Sequence, residues 1–530
     1  MFEKSQEITR DNIIDEILMG LKARYSLIWI MSSEESRVLE ILADVSHKWK
    51  SDAYVCEEAK TITPIFEWVK ERPYFKSIEC PIGNVNVGES FSKIYNSMNK
   101  LKDNKYLFIY PDFHFVTNQS LNDYKKLVRY LKLLEARLRS IDTSLIFISQ
   151  DFELPKELEN IIHVVDLPYP ELTELMDELE YILYPYEEDD IPKDFKIKIS
   201  SYAKGLTLKH ASRIFSLLIA SGEEKSNWIN IIASNKQTIM KKSGALEYFP
   251  PRSLPSKLGG LKILKKKLDL YQNAFDAEAR EFGVEYPKGI ALIGIPGTGK
   301  SLTAKYIAKR WKMPLLRLDM GAIFGGIVGE SERNMREAIK MAEAVAPCIL
   351  WIDEIEKVTQ TKGLDAGTSS RVFATFLTWM QEKTRPVFVL ATANDVKYIP
   401  PELLRKGRFD ETFFLDIPLP REREEIFKIH LKKRKKNPRD FKIKKLVKIT
   451  EGFVGAEIEQ IIKEVLLIAY SEKREPKIDD FQNLTDSLIP LKISQEKKIK
   501  KLRKWVKEKR AINASESAEK KMGGIQRPKI

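Results

Sequence analysis

The sequence has 530 residues, more than one compact core accommodates, so its length indicates two to four domains. Hydrophobic residues make up 43% and charged residues 31%, and the longest apolar runs, such as LIWIM and VFVLATA, have the length of strands, so we expect a globular protein without a membrane-spanning helix. The net charge is +13, and residues 421–530 alone hold 31 lysines and arginines against 17 acids, so any electrostatic partner should meet the C-terminal fifth of the chain.

The N-terminal segment MFEKSQEITRDNIIDEI contains acids and has no apolar centre, which argues against a secretory signal or a transit peptide. We therefore expect the protein to work in the compartment that makes it. The three cysteines and five histidines are scattered along the chain, a pattern that argues against disulfides and zinc sites.

The first element with a familiar outline is YSLIWIMSSEESRVLEILADV, residues 25–45. A buried strand leads through a short polar loop into a helix, which is the outline of a phosphate-binding loop. The loop has no glycine that lets N–H groups approach a phosphate and no lysine that neutralises one, and Glu34 and Glu35 would repel it. The stretch therefore has the shape of a nucleotide-binding loop without its chemistry.

A complete phosphate-binding loop follows in the second half of the chain, in KGIALIGIPGTGKSLTAKYIAKRWKM. Gly294, Gly297 and Gly299 allow successive N–H groups to surround a phosphate at the start of a helix. Lys300 is placed to reach the β- and γ-phosphates, and the Ser301 hydroxyl is placed to bind Mg²⁺. The pattern predicts a P-loop.

Later apolar strands end in polar residues that suit phosphate chemistry. In CILWIDEIEK the apolar run ends in Asp353 and Glu354. Asp353, beside the first strand's loop, is placed to hold Mg²⁺ through water, and Glu354 is placed to polarise the attacking water. In PVFVLATAND the apolar run ends at Asn394, which we expect near the γ-phosphate or the water. Arg405 and Arg408 follow; arginine stabilises charge on a transferring phosphoryl group, often from a neighbouring subunit, and a solvated basic turn is the alternative.

Seven segments resemble, in chain order, the motifs of the AAA family of ATPases: GGLKILKKKL, GIPGTGKS, GESERNMREA, LWIDEIEK, ATAND, ELLRKGRFDE and EGFVGAEIEQIIKE. The resemblance covers about residues 257–475, and the whole chain resembles the AAA-type ATPases encoded in algal plastid genomes and in cyanobacteria. It implies a parallel α/β sheet of the P-loop NTPase (AAA+) type with a helical lid, and it implies an ATP hydrolase that uses ATP and Mg²⁺.

The resemblance also implies roles for the matching residues. The nucleotide-binding Walker A loop would consist of Gly294, Ile295, Pro296, Gly297, Thr298, Gly299, Lys300 and Ser301. Asp353 and Glu354 resemble the Walker B pair, with Asp353 and Ser301 holding the metal ion and Glu354 acting in catalysis.

Further along, Asn394 resembles the sensor-1 residue, and Arg405 and Arg408 resemble two arginine fingers. Gly455 and Ala456 look like the lid segment that contacts the adenosine. Because arginine fingers complete the site of a neighbour, the resemblance implies a homo-oligomeric ring, usually a hexamer.

Threading members of the family have an aromatic residue in the first pore loop. Here the loop reads FGGIVGESE, with Ile327 at that position, which argues against substrate threading, although Phe324 nearby could take the place of the aromatic residue.

The two halves of the chain repeat one pattern. SLIFISQDFELPKEL parallels VFVLATANDVKYIPPEL, and KYLFIYPDFHF lies where CILWIDEIEK does. We interpret residues 1–240 as a degenerate, non-catalytic AAA-like α/β domain, with Asp112 at the Walker B position, no glutamate after it and no arginine at the finger position. The alternative is an unrelated α/β domain with a similar alternation of strands and helices.

Composition marks the remaining boundaries. We predict a linker over 241–260, an AAA ATPase α/β core over 261–420, a helical lid over 421–490, and a basic amphipathic helix with a disordered tail over 491–530. The apolar face of that helix consists of Ile499, Leu502, Trp505 and Val506. Such a helix could lie on an anionic membrane, bind nucleic acid or dock on a neighbouring subunit, although a solvated helix with one buried stripe is more common.

The leading hypothesis is a ring-forming AAA ATPase that binds and hydrolyses ATP and remodels or regulates an unknown protein client. One alternative is an ATP-switched binding scaffold without threading activity. Another is a nucleic-acid-associated ATPase, suggested by the basic C-terminal segment. The resemblance implies a location in the plastid (chloroplast) stroma, or in the cytoplasm of a cyanobacterium.

Overall fold

The computed structural model contains two compact units, residues 1–222 and 223–530. The described residues are 10–56, 62–64, 105–111, 121–149, 157–186, 191–242, 244–324, 330–359, 366–399, 401–405, 407–509 and 511–516. Asp112, Ile327 and the side chain of Phe324 lie outside the described part. Within these ranges, no helix has the length and apolar character that crossing a bilayer requires.

The first unit alternates strands and helices. Its described strands are β1 (Leu27–Met31), β2 (Ser51–Cys56), β3 (Ile62–Pro64), β4 (Lys105–Tyr110), β5 (Thr143–Ser149) and β6 (Ile162–Asp166). Its described helices are α1 (Arg10–Lys22), α2 (Glu35–Trp49), α3 (Leu121–Leu138), α4 (Leu172–Leu183), α5 (Lys193–Ala203) and α6 (Leu208–Ala220).

The sheet of the first unit has the strand order β3-β2-β4-β5-β1-β6, and its neighbouring strands are parallel except for the antiparallel pair β2 and β3. The apolar run LIWIM forms the buried strand β1, with Ile28 and Ile30 in one hydrophobic core and Leu27 and Trp29 in the other. Because helices cover both faces, the strand is apolar throughout rather than alternating.

The second unit is larger. Its described strands are β7 (Leu246–Phe249), β8 (Gly289–Gly294), β9 (Leu315–Leu318), β10 (Cys348–Ile352), β11 (Val387–Ala393), β12 (Glu411–Leu415) and β13 (Ile512–Asn513). Its described helices are α7 (Trp228–Lys242), α8 (Lys262–Asn273), α9 (Ala277–Glu281), α10 (Lys300–Trp311), α11 (Met320–Phe324), α12 (Glu330–Val345), α13 (Ala366–Glu382), α14 (Pro420–Lys433), α15 (Ile443–Ile449), α16 (Gly455–Ser471), α17 (Ile478–Ser487), α18 (Leu491–Ser494) and α19 (Glu496–Lys509).

The two sheets share one topology. In the second unit the order is β13-β12-β8-β11-β10-β9-β7, parallel except for the pair β7 and β9. If the extra strands β3, β7 and β13 are set aside and the others are numbered along the chain, both sheets have the order 5-1-4-3-2. The shared order confirms the predicted α/β fold and favours a repeat over an unrelated α/β domain.

Helices α14 to α17 pack around a hydrophobic core of their own, which includes Phe427, Leu446, Ile461 and Phe481. This helical subdomain lies in the region predicted as the lid. Its core is separate from the two cores that cover the faces of the second sheet.

The boundary between the units differs from the predicted one at residue 240. The units divide after Gly222, and α7 belongs to the second unit, where Ala233 and Met240 join the same buried cluster as Leu246 of β7. The sequence shows that α7 has a buried face, but helical periodicity does not identify the sheet against which that face packs.

The predicted linker over 241–260 also differs from the structure. Its residues Leu246–Phe249 form β7, which pairs antiparallel with β9 in the register Leu246 to Leu318. Prolines around a four-residue strand resemble a linker in sequence, yet strands at a sheet edge tolerate nearby proline.

The C-terminal segment is an integral part of the second unit. Ile499, Leu502 and Val506 of α19 are buried in its core, so the apolar face that a membrane would contact is already packed. The predicted disordered tail is ordered at its start, because β13 pairs with β12 and the Ala514 N–H donates to the Phe414 carbonyl at 3.0 Å. The sequence AINASES carries little apolar signal, since main-chain pairing, the small buried side chain of Ala514 and the Ser515 hydroxyl contribute to holding it.

Replacement of Leu502 by Ala should therefore destabilise the second unit. Leu502 is 2% exposed, and loss of its buried methyl groups leaves a cavity that should lower the free energy of unfolding by about 2–5 kcal/mol. Urea denaturation of the full chain measures the change, with the exposed neighbour Lys501→Ala as control. Equal stability of the two variants would show that α19 is not packed in the core.

Candidate functional site

The loop between β8 and α10, residues 295–299, has the backbone geometry of an anion site. Gly297 and Gly299 have left-handed backbones, with φ angles of 79° and 97°, which residues with a Cβ rarely adopt. No side chain caps the helix at Gly299. Because the first N–H groups of a helix lack partners within the helix, this end of α10 can bind a negatively charged group.

Lys300 begins α10 and is only 6% exposed. Its Nζ donates to the carbonyls of Gly294 and Ile295, both at 2.8 Å. Burial lowers the pKa of Lys300 to about 8, against the opposing effect of Glu356 and Asp353. A buried cation thus lies at the phosphate-binding loop and faces acids.

Asp353 follows β10 and lies beside the first residues of α10. The Ser301 hydroxyl is 3.5 Å from its Oδ1, and the Thr392 hydroxyl donates to the same Oδ1 at 2.6 Å. A hydroxyl and a carboxylate are the hard oxygen ligands that Mg²⁺ prefers, and this ion usually takes few protein ligands alongside substrate phosphates. Ser301 and Asp353 are therefore suited to hold Mg²⁺.

Glu354 is held by several contacts in a rare conformation. Its backbone is left-handed, with φ of 50°, and its N–H donates to the Thr392 hydroxyl at 3.1 Å. The Asn394 Nδ2 donates to its Oε1 at 2.8 Å, and the Lys357 Nζ is 2.5 Å from its Oε2. A strained non-glycine residue persists only where the surroundings impose it, which is common in functional sites.

Two further residues of this site were missed in the sequence. Glu356 is 4% exposed and accepts the main-chain N–H of Asn394 at 2.8 Å, and burial raises its pKa. Thr392 joins Asp353 to the backbone of Glu354. The signal for Thr392 was its spacing of two from Asn394 along a strand, which places both side chains on one face.

The strand order explains how these groups meet. Strand β11 lies between β8, which leads into the phosphate loop, and β10, which leads into Asp353. The register pairs Ile352 of β10 with Ala391 of β11, which places Thr392 next to Asp353. The middle strand therefore supplies both Thr392 and Asn394 to the space between the loop and the acids.

Gly455 and Ala456 start helix α16 against the phosphate loop. The Ala456 N–H donates to the Gly297 carbonyl at 3.1 Å. A Cβ on Gly297 would lie 2.8 Å from the Val454 side chain, so this close approach, like the left-handed backbone, requires glycine. Pro296 and Thr298 lie in the same loop, where the Thr298 hydroxyl donates to the Ile295 carbonyl at 2.9 Å.

Arg405 and Arg408 lie apart from these side chains. The Arg405 N–H and the Arg408 guanidinium both donate to the Glu402 carbonyl. Within the described ranges, no hydrogen bond or ion pair joins either arginine to the phosphate loop or to Asp353, Glu354 and Asn394. The structure brings together the other catalytic candidates but not the two arginines.

Comparison with known proteins identifies the family. Residues 290–417 match the ATPase family associated with various cellular activities (AAA), 440–485 match the AAA+ lid domain, and 13–167 match the SpoVK-like AAA ATPase N-terminal domain. The chain is 38% identical over 504 residues to "Uncharacterized AAA domain-containing protein ycf46" of Trieres chinensis, covering 93% of this chain and 96% of that protein. The chain is a member of the AAA ATPase family.

Further AAA relatives show how similarity is distributed. The protein of the same description in Pyropia yezoensis is 37% identical, with 95% of this chain and 99% of that protein covered. The ATP-dependent zinc metalloprotease FtsH of Pseudothermotoga lettingae is 35% identical over 216 residues, which cover 39% of this chain and 34% of that protein. The family membership predicted from the motifs is thus confirmed.

The first AAA-like unit has charged side chains where the second has its phosphate loop. Arg37 of α2 donates from Nε and Nη2 to the two oxygens of Glu174, at 2.9 and 2.8 Å, and from Nη1 to Glu34 at 3.2 Å. The Glu34 carboxylate accepts the N–H of Leu208 at the start of α6. The side chain of Arg37 is 2% exposed and those of Glu34 and Glu174 are 8% exposed.

This arrangement parallels the contact in the second unit between the phosphate loop and the start of α16. In the first unit a carboxylate, Glu34, binds the N–H of Leu208 at the corresponding helix, as an anion would. Burial raises the pKa of Glu34, while the charge of Arg37 and the Leu208 N–H lower it. In the first unit a buried network of charged side chains thus joins the loop after β1 to the start of α6.

Replacement of Arg37 by Ala should destabilise the first unit strongly. The substitution leaves the carboxylates of Glu34 and Glu174 buried without their cation, which typically costs about 3–5 kcal/mol. Urea denaturation of the full chain measures this cost. The control is Arg10→Ala, which removes an ion pair to Asp44 whose side chains are 38% and 48% exposed and should change stability by about 1 kcal/mol or less.

The same network should exclude nucleotide from the first unit. In a Lys300→Ala background, ATP should therefore leave the melting temperature of the full chain unchanged, even when Ser33→Lys supplies a lysine, because the loop still lacks glycines. An ATP-dependent rise in melting temperature, or an Arg37→Ala variant as stable as Arg10→Ala, would contradict this interpretation.

Proposed function

We propose that the chain hydrolyses ATP and uses this reaction to remodel or regulate a protein partner, as one subunit of a homo-oligomeric ring. The observation that carries the proposal is the convergence of Lys300, Ser301, Asp353, Glu354 and Asn394 at one edge of the second sheet. These are the residue types that phosphoryl transfer to water requires.

The phosphate loop and Lys300 bind the phosphates of ATP in this proposal. The loop N–H groups and the Lys300 ammonium bind the phosphates, and Lys300 exchanges the carbonyls of Gly294 and Ile295 for phosphate oxygens. Mg²⁺, when bound by Ser301 and Asp353, neutralises charge that develops on the phosphates.

Water activation belongs to Glu354. Its carboxylate accepts a proton from the attacking water, and the amide of Asn394 fixes the position of its Oε1. Thr392 and Glu356 act indirectly, because Thr392 orients Asp353 and Glu356 holds the main chain of Asn394.

Ring formation is inferred from the two arginines. Arg405 is exposed and Arg408 partly buried, and neither contacts the described catalytic groups of its own subunit. We assign them to the site of the neighbouring subunit, where arginine stabilises charge on the transferred phosphoryl group. A closed ring, usually a hexamer in this family, supplies such a neighbour to every subunit.

The proposal that the client is a protein is consistent with the similarity to FtsH, which is described as an ATP-dependent zinc metalloprotease. The whole-chain similarity to relatives in Trieres chinensis and Pyropia yezoensis, together with the likeness to AAA proteins encoded in algal plastid genomes, favours the plastid stroma as the location.

An ATP-switched scaffold is the second candidate. The observation in its favour is the first unit, in which Arg37 and Glu174 form a buried ion pair next to the loop that follows β1. A unit that keeps its fold without nucleotide can present a constant binding surface while the second unit changes state.

Two substitutions should affect ATP binding and ATP hydrolysis separately. Lys300→Ala should abolish ATP binding because the β- and γ-phosphates lose their cation, whereas Glu354→Gln should bind ATP and lose turnover because only the water is no longer activated. Calorimetric titration and phosphate release measure the two effects. Lys309→Ala, on the same helix, should retain both activities, and normal turnover by Glu354→Gln would contradict the mechanism.

Arg408→Ala should bind ATP almost normally and hydrolyse it on the order of a thousandfold more slowly, because the charge on the transferred group is no longer stabilised. Mixing this variant with Lys300→Ala protein should restore part of the activity, since some intact loops then face intact arginines. The exposed Arg421→Ala serves as control. An inactive mixture, under conditions in which mixed rings are shown to form, would argue against the proposal that one subunit completes the active site of its neighbour.

A further inference from the structure

We propose that the outer edge of β6 in the first unit is a docking site for an extended, positively charged segment of a partner protein, which adds to the sheet as a further strand. The proposal goes beyond the ATPase activity and does not depend on it. It rests on the difference between the equivalent edges of the two sheets.

In the second sheet, a segment of the same chain covers this edge. Strand β12 pairs with β8 on one side and with β13 on the other, in the parallel register Phe413 to Ile512. The Ala514 N–H donates to the Phe414 carbonyl, and the Ala514 carbonyl accepts the N–H of Ile263, near the start of α8, at 3.1 Å. A short extended segment is thus held by the edge of a strand and by the helix beside it.

The equivalent strand of the first sheet is β6. In the shared order 5-1-4-3-2, β6 and β12 are each the fifth strand and lie beside the first. Ile17 of α1 and Val165 of β6 belong to one buried cluster. Leu264 of α8 and Phe413 of β12 belong to another in the second unit. Each fifth strand therefore packs against the helix that precedes the first strand of its sheet.

The edge of β6 differs from that of β12 in its pairing. Among the described residues, β6 pairs with β1 alone. The Leu167 N–H, just after β6, donates to the Met31 carbonyl at 3.2 Å, on the β1 side. Because the main-chain groups of successive residues in a strand point in opposite directions, the N–H and carbonyl of Val164 point away from β1. An exposed strand edge of this kind accepts a further strand.

Acidic side chains surround this edge. Asp166 lies on β6, Glu157 and Glu159 lie in the turn before it, and all three are exposed. Glu16 is exposed on α1, one helical turn before Gly20. Gly20 packs against β6, because a Cβ there would lie 2.8 Å from the histidine ring of that strand. Lysines or arginines of an incoming segment would meet these carboxylates.

The charge also argues against a second copy of the same edge as the partner. Two β6 edges that paired with each other would bring like-charged carboxylates together, which is unfavourable. The exposed cations Lys22 and Arg24, at the end of α1, do not outnumber the acids. A basic segment of another protein therefore fits the edge better than a copy of this chain does.

The experiment uses the full chain and a short fluorescein-labelled peptide in which lysine alternates with valine and threonine. Val164→Pro removes the outward N–H at a position where an edge strand tolerates proline, whereas Val164→Thr retains that N–H. We expect Val164→Pro to weaken binding about tenfold or more, because a main-chain hydrogen bond is lost and the proline ring obstructs the edge. Val164→Thr should bind like the parent protein, as measured by fluorescence anisotropy.

Two altered peptides separate charge from main-chain pairing. A peptide with glutamate in place of lysine should not bind, because its charges face the acids of the edge. A lysine peptide that is N-methylated at every residue keeps its charges but has no main-chain donor, and it should bind about tenfold more weakly or worse. These comparisons use the parent protein and decide the question even if Val164→Pro does not fold.

Each other result would overturn the proposal in a defined way. Absence of saturable binding of the lysine peptide to the parent, or equal binding by the parent and a folded Val164→Pro, would rule out the docking site. Equal binding of the glutamate peptide would rule out a basic partner, and equal binding of the N-methylated peptide would rule out strand addition. A smaller assembly of Val164→Pro than of the parent in analytical ultracentrifugation would show that a second copy occupies the edge instead.

Discussion

The second unit of this AAA protein depends on the interaction between the buried Lys300 and the acids around it. An ammonium group with 6% exposure loses its hydration, which is costly unless other groups replace it. The carbonyls of Gly294 and Ile295 do so directly, and Asp353 and Glu356 do so through their charge. Asp353, which is suited to hold Mg²⁺, and Glu356, which holds the main chain of Asn394, are therefore also acids that allow the lysine to be buried.

The first unit also buries a cation, Arg37, whose charge must be compensated. It has the same order of parallel strands, so charged groups that follow β1 also meet the start of a lid-like helix. There Arg37 takes the central position, Glu174 binds it through two oxygens, and Glu34 binds the helix N-terminus. The acids and the cation therefore compensate one another within the chain.

Local sequence patterns predicted much of this arrangement. Apolar runs identified β1, β8, β10 and β11, and the spacing of glycines before Lys300 identified the phosphate loop, because both signals lie within one short segment. The contacts of Thr392 and Glu356 depend on the order of strands in the sheet, which a single segment does not encode. For the same reason the helix Trp228–Lys242 was assigned to the wrong unit.

The C-terminal segment is positioned by hydrogen bonds that local sequence patterns do not predict. At one end Leu491 is bound to Glu457 of the lid, and at the other end the Ser515 hydroxyl donates at 2.7 Å to Glu422, near the start of the lid's first helix. Glu422 also accepts the N–H of Leu261 at 2.9 Å, before helix α8.

Between these ends the segment packs Ile499, Leu502 and Val506 into the core that also contains Ile295, and it adds β13 to the sheet. The segment is therefore fixed to the lid at both ends and to the sheet in the middle. A movement of the lid relative to the sheet must break hydrogen bonds at one end or carry α19 with it. The lid and the core of the second sheet are therefore mechanically linked through residues that lie outside both the AAA and lid regions.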